Sequence, residues 1–207
     1  MAETPEQYPL DIIPDLPTLE DLIWGKLQNP DKPSLDAWSL ACLATIDGHT
    51  LRQRTVVIRQ TRRDEGKLWF HTDSRTGKLV DIEKNSNVSL TFYDPEHLMQ
   101  VVMQAQASLV SEDERKQQWD SATDSSLRQY LAPFAPGKEC SFSSCNLPDS
   151  ARNRIPTRYE LAEGFRHFRV VECLVTEIDI VVLRRVGNFR ARFTKYDSAW
   201  QATWLQP

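Results

Sequence analysis

From Trp38 to Val110 the chain reads as five short runs of apolar and β-branched residues, cut by tight turn signals and interrupted by one helix. The runs are Trp38–Ile46, Thr50–Arg59, Lys67–Thr72, Asn87–Tyr93 and Met99–Val110. Asp47-Gly48 and Arg62-Arg-Asp-Glu-Gly66 supply hairpin turns between the first three, because Gly next to Asp accepts the backbone twist that joins antiparallel strands. A helix is expected from about Thr76 to Lys84. The C-terminal part returns to strands at Phe165–Glu177, Ile178–Arg185, Phe189–Tyr196 and Ala199–Leu205. So many strands with few helices between them exclude a doubly wound parallel sheet, which needs a crossover helix after almost every strand. The expected fold class is mainly β with peripheral helices, an antiparallel β-barrel formed as one domain over residues 1–207.

The remaining segments are ornaments on that frame. Residues 1–17 hold four prolines and read as an extended arm, after which Thr18 can cap a helix with Leu19, Leu22, Ile23 and Leu27 at helical spacing. Asn29-Pro-Asp-Lys-Pro33 ends it. Ser111-Glu-Asp-Glu114 is a capping box that starts a helix towards Trp119, and a second short helix runs from about Ser125 to Leu131. Residues 132–157, with four prolines and many serines, form the long loop.

Charge and cysteine usage narrow the function classes. A net charge of −4 argues against a general nucleic-acid or anionic-membrane binder. The acidic, polar N-terminus lacks the basic and apolar regions of a secretory signal, and no apolar run reaches the ~20 residues of a membrane span. Cys42, Cys140, Cys145 and Cys173 form no Cys-x-x-Cys pair, and His49, His71, His97 and His167 have no helical ligand spacing, so no metal site is expected. Free thiols fit a cytoplasmic protein; Cys140 and Cys145 are near enough in sequence to pair if oxidised.

Against this acidic background one stretch concentrates cations and hydroxyls: Arg54-Thr-Val-Val-Ile-Arg59, then Leu68-Trp-Phe-His-Thr72, then Asp73-Ser-Arg-Thr-Gly-Lys78. Asp73 or Ser74 can cap the following helix, and Arg75 and Lys78 fall at i, i+3 near its start, where unpaired N–H groups already favour an anion. Thr72 and Ser74 add hydroxyl donors. A phosphate-loop nucleotide site is excluded because Leu79 follows Gly77-Lys78 where Ser or Thr is required. Arg54 and Arg59 are five apart and lie on opposite faces of a regular strand, so both can reach one ligand only through a bulge, a twist or a strand end. Gln100 heads a row with Gln104 and Gln106 whose amides both donate and accept.

Four segments in order resemble the pyridoxamine 5′-phosphate oxidase family. Arg54-Thr-Val-Val-Ile-Arg59 resembles its Arg-x-Val-Leu-Leu-Lys strand. Phe70-His-Thr72 through Lys78, Asp81-Ile-Glu-Lys-Asn85 and Val88-Ser-Leu-Thr-Phe92 resemble the run that follows. Met99-Gln-Val-Val102 resembles its Arg-Gln-Val strand, and Arg190-Ala-Arg-Phe193 through Trp204-Leu-Gln-Pro207 its ending. The resemblance covers residues 38–110 and 165–207 and implies a split β-barrel homodimer with flavin mononucleotide (FMN) at the subunit interface.

By position it implies that Arg54, Thr55, Val56, Arg59, His71, Thr72, Ser74, Arg75, Lys78, Gln100 and Arg192 bind FMN. It further implies that Arg59 and Arg190 hold a substrate's anionic group and that His71 acts as proton donor, with a pKa near operating pH. Departures concern the substrate more than the cofactor. Arg59 replaces the strand lysine, Gly77 stands where a phosphate arginine is expected, Val181 or a neighbour replaces a ring-contacting Trp, and Asn188-Phe-Arg190 replaces an Arg-x-His. The implied function is hydride transfer from a small phosphorylated or anionic substrate to FMN, with re-oxidation by dioxygen. The alternative is a flavin carrier or redox sensor without turnover.

Overall fold

The computed structural model describes residues 14–28, 36–185, 187–197 and 199–207. Most of the proline-rich arm and the 29–33 helix stop lie outside the described residues. The elements are α1 (Leu16–Gln28), β1 (Leu40–Asp47), β2 (Thr50–Arg62), β3 (Lys67–Asp73), α2 (Gly77–Lys84), β4 (Asn87–Asp94), β5 (Met99–Leu109), α3 (Glu112–Ser121), the short helices α4 (Asp124–Leu127), α5 (Asp149–Arg152) and α6 (Arg158–Leu161), then β6 (Phe168–Val182), β7 (Phe189–Tyr196) and β8 (Ala199–Leu205).

All strand pairs are antiparallel, in the order β3-β2-β1-β4-β5-β6-β7-β8, and a further pairing of β3 with β6 closes the first six into a ring. Strands β7 and β8 extend from the ring as a flap. This is the split β-barrel that the strand pattern and the resemblance imply.

Alternation puts one face of each ring strand inside the barrel. Ala41, Leu43, Ile58, Leu68, Phe70, Leu90, Phe92, Val101, Met103, Val171, Ile178 and Ile180 are buried in this core. Each large side chain of this kind contributes about 1.5–3 kcal/mol when fully buried. Gly48, first of the two residues joining β1 to β2, has φ of 60°, which a Cβ would strain and which suits the tight hairpin. Helix α1 packs Leu19, Ile23, Trp24 and Leu27 onto this core, with the Trp24 and Trp200 rings 6.5 Å apart.

Three local expectations are corrected. Helix α1 starts at Leu16, so it takes in Pro17, and the Asp15 carboxylate rather than Thr18 caps it by accepting from the Thr18 N–H at 2.8 Å. The strands expected at 165–177 and 178–185 are one strand, β6, which starts after a 3₁₀ turn at Ala162–His167. Its expected break is a bulge at Thr176, where the register against Gln104 and Ala105 shifts. There β6 leaves β3 and takes up β7, so a bend without a turn suffices. The 132–157 loop contains α5, and Thr157 with Glu160 forms a reciprocal capping box at α6 that the sequence pattern contains and the reading above omits.

Candidate functional site

A cavity of about 590 Å³ lies between the β3–α2 corner and the chain from Ser125 to Leu147. Its barrel side carries Arg59, His71, Thr72, Thr76 and Lys78; its loop side carries Ser126, Arg128, Tyr130, Cys145 and Asn146 among others.

Arg59 reaches the cavity through an irregularity in β2. Ile58 pairs with Phe70 and Gln60 with Trp69, which leaves Arg59 as the extra residue of a bulge. This is one of the devices that the Arg54–Arg59 spacing demands. Arg59 forms no ion pair or hydrogen bond among the described residues, so an uncommitted cation faces the cavity.

Lys78 is drawn in from the first turn of α2, and its ammonium donates to Thr72 Oγ1 at 2.9 Å. Burial pushes its pKa down, and the nearby Arg54 guanidinium adds to the fall; Asp73 offsets part of it. Arg54 itself donates to Thr45 Oγ1 at 2.6 Å and pairs with buried Asp81 at 3.6 Å, so it stands behind Lys78 rather than in the cavity. Thr76 occupies the N-cap position of α2 without capping it: its hydroxyl donates to the Asp73 carbonyl at 2.9 Å. The helix start therefore offers N–H groups with no side-chain acceptor beside a desolvated ammonium. That arrangement fits a phosphate.

His71 lies on β3 with its ring edge against Phe168 at 4.7 Å. Its Nε2 is 3.3 Å from Gln118 Oε1, while Gln118 Nε2 donates to Gln60 Oε1 at 2.6 Å. The Gln118 oxygen thus faces the ring, which makes Nε2 the protonated nitrogen and Nδ1 the acceptor. Burial lowers the His71 pKa to about 4, partly opposed by Gln118 and reinforced by Arg59. The imidazole is neutral at pH 7 and is not a proton donor poised near operating pH. Its folded pKa lies below the unfolded value of 6.5, so between pH 6.5 and about 4 the unfolded chain takes up the proton first. Stability is expected to be unaffected above pH 6.5 and to fall on acidification through that window by about 2–3 kcal/mol. Urea denaturation of the wild type and His71→Asn from pH 4 to 7 checks this; parallel curves would refute it.

The other expected site residues lie elsewhere. Arg75 precedes α2 instead of sharing a face with Lys78, and its guanidinium grips Asp73 at 2.6 Å and the Ala132 carbonyl at 3.0 Å. It ties the loop to the corner, and its charge is already balanced. Ser74, between them, is half-buried and its N–H donates to the His167 carbonyl, while its side chain does not line the cavity. Thr55 is exposed on the barrel wall and Val56 sits in the core. Gln100 is exposed on β5. Arg190 forks onto Asp179 with two 2.9 Å bonds, and Arg192 lies near Glu177 and Asp179, both on the outer face of the flap and away from the cavity. Of the expected residues, Arg59, His71, Thr72 and Lys78 share the cavity.

Tyr130 is the residue that sequence reasoning missed. It packs edge-on against Phe168 at 5.1 Å in a second small core with Trp69, Trp119, Leu127, Leu161 and Val170. Gly164 lets its 3₁₀ segment approach the Tyr130 backbone, since a Cβ there would lie 3.1 Å from Tyr130 Cβ. The sequence reading places Tyr130 only within the short helix expected at about 125–131, and nothing in that segment marks the tyrosine as lining a cavity.

The family model for pyridoxamine 5′-phosphate oxidase matches residues 33–139, just over half of the chain. Among solved structures, a pyridoxamine 5′-phosphate oxidase-related, FMN-binding protein from Nostoc punctiforme superposes with a TM-score of 0.70 at 20% identity, covering 95% of this chain and 100% of that one. PhzG from Burkholderia lata, in complex with tetrahydrophenazine-1-carboxylic acid, gives 0.67 at 18% identity, covering 100% and 98%. No curated protein matches the sequence. With a family model matching just over half of its length, this chain belongs to the pyridoxamine 5′-phosphate oxidase family.

Proposed function

We propose that the chain binds FMN and works as an oxidoreductase on a small anionic substrate. The observation that carries the reading is the uncapped start of α2 with Lys78 held beside it, in a cavity whose barrel side also presents uncommitted Arg59. Lys78, Thr72 and the first N–H groups of α2 would hold the flavin phosphate. Arg54, anchored on Asp81, adds positive potential from behind. Arg59 would orient the substrate's anionic group, and neutral His71 would accept a hydrogen bond rather than give up a proton. When bound, FMN supplies the redox chemistry, accepting hydride at N5 and returning electrons to dioxygen. The FMN-binding description of the Nostoc relative and the carboxylic acid held by PhzG support the same reading.

The reading extends to a cytoplasmic homodimer with the flavin at the subunit interface. Gln100 and Arg192, on the outer faces of β5 and β7, would then reach a flavin across that interface. Light scattering on the purified protein tests the dimer: a monomer mass refutes it. The pairing of Arg190 with Asp179 favours the second reading, a flavin carrier without turnover, because Arg190 is already neutralised.

The test is the visible spectrum after adding FMN and removing the excess. Retained yellow is expected, and a protein that keeps no flavin refutes the proposal. Pyridoxamine 5′-phosphate is then added without oxygen. Bleaching near ~450 nm, a flavin property, identifies an oxidase for that substrate. Stable yellow with this and other amines identifies the carrier.

A further inference from the structure

Two of the four cysteines sit in one loop beside the cavity, and the flavin reading gives neither a role. Cys140 and Cys145 are exposed and unbridged, whereas Cys173 is buried in the barrel, where burial raises its pKa to about 12. The chain from Phe134 to Asn146 closes on itself. Asn146, at a φ of 54°, donates from Nδ2 to the Phe134 carbonyl at 2.8 Å, and its Oδ1 accepts from the Phe134 N–H at 3.3 Å. Arg75 grips the Ala132 carbonyl just before this neck, which moors the loop to the β3–α2 corner. Beyond the turn at Ala135–Lys138, no backbone–backbone hydrogen bond holds residues 139–147 among the described residues. The arc can therefore change shape while its neck stays shut.

The two thiols face different spaces. Cys145, next to the neck, lines the cavity with His71 and Lys78. Cys140 and Asn146 line a hollow of about 620 Å³ inside the loop. The Leu147 N–H, and after it Arg152, favour the Cys145 thiolate and lower its pKa, and the thiolate is the form that attacks an oxidant. Only Ser141-Phe-Ser-Ser144 lies between the two cysteines, so tightening the arc brings their Cα atoms to the ~4–7 Å that a disulfide spans. We infer that Cys145 is a peroxide-oxidisable thiol on the wall of the flavin cavity and that Cys140 resolves it as a disulfide within the loop. The Cys145 thiolate attacks one oxygen of hydrogen peroxide, the O–O bond breaks and hydroxide leaves, giving a sulfenic acid. The Cys140 thiolate then attacks the Cys145 sulfur, the S–O bond breaks and a second hydroxide leaves. Two electrons pass from the sulfurs to the peroxide, and the protons released by the thiols turn both hydroxides to water. The source of the peroxide rests on the flavin reading above, in which dioxygen takes the electrons of the reduced flavin; the thiol pair does not.

The test adds hydrogen peroxide to the purified protein, alkylates it and maps the cysteines by mass spectrometry. The wild type is expected to lose two alkylatable thiols, to yield a Cys140–Cys145 cross-linked peptide within one chain, and to regain both thiols with dithiothreitol. In Cys140→Ser, dimedone, a sulfenic-acid trap, is expected to label Cys145. Four free thiols after peroxide, a cross-link between chains, or dimedone on Cys140 of Cys145→Ser but not on Cys145 of Cys140→Ser each overturns the inference. FMN is then titrated into the reduced and oxidised forms. The disulfide draws Cys145 off the cavity wall, so FMN is expected to bind the oxidised form about threefold or more weakly. Equal affinity overturns the link between the thiol pair and the cavity. A protein that keeps no FMN in either form refutes the flavin reading instead, while the cross-link and the dimedone adduct still decide the thiol pair.

Discussion

Phe168→Ala is expected to destabilise the protein by about 3–5 kcal/mol, the range for removing a large aromatic from a closed core. Phe168 is fully buried, opens β6, and touches three rings at once: His71 at 4.7 Å, Tyr130 at 5.1 Å and Trp119 at 5.2 Å. It is the piece that joins the barrel wall to the helical cap over the cavity, so its loss acts on both. The neighbours that would have to fill the space, Trp119 and Tyr130, are themselves held by Phe165 and Gly164 and can relax little. Urea denaturation measures the loss of stability, and a change under 1 kcal/mol would mean that the cap repacks freely. At protein concentrations and temperatures where the variant stays folded, FMN affinity should fall too, because His71 loses the ring that orients it.

The second large effect concerns Lys78. Lys78→Met keeps the length and apolar stem of the side chain and removes the ammonium. FMN affinity is expected to drop about ten- to hundredfold, the scale of one lost hydrogen bond to a charged group. Stability in the absence of flavin should stay level or rise slightly, since the substitution relieves the burial of a cation near Arg54. The opposite signs make the result diagnostic. A surface lysine would change neither quantity, and a purely structural one would lose stability. Flavin fluorescence quenching and a thermal melt on the same preparation read the two, and unchanged FMN affinity would move the phosphate site away from α2.

Much of the fold can be read from the chain because its determinants are local. The alternation in β1, β3, β4 and β5, the Asp47-Gly48 hairpin and the Ser111 cap each depend on a few consecutive residues, and each lies within two residues of its expected place. Where the pattern was ambiguous, the outcome turned on distant pairing. Residues 177 and 178 carry no turn chemistry, and β6 continues there because β5 runs alongside both halves while β3 and β7 exchange on the other edge. The capping box at Thr157 was legible but sits in a stretch whose prolines and serines suggest only loop.

The site divides in the same way. Sequence by itself determined the antiparallel barrel, from the run of strands along the chain, and the placement of a helix start with Thr72 and Lys78 after β3, from local spacing; Arg59 and His71 came to that corner through the family resemblance. Tertiary structure alone decided which charges stay free. Arg75 and Lys78 look equivalent by spacing, yet Arg75 is spent on Asp73 and the Ala132 carbonyl while Lys78 turns inward. Arg190 and Arg59 look alike as cations, yet Arg190 meets Asp179 across the β6–β7 pair and Arg59 is pushed out by a bulge. His71 has the composition of a proton donor but the pKa of a buried neutral ring, and Tyr130 reaches the cavity only through Phe168, thirty-eight positions further along the chain. A charge or a proton is set by the groups packed around it, and those groups come from parts of the chain that no local pattern connects.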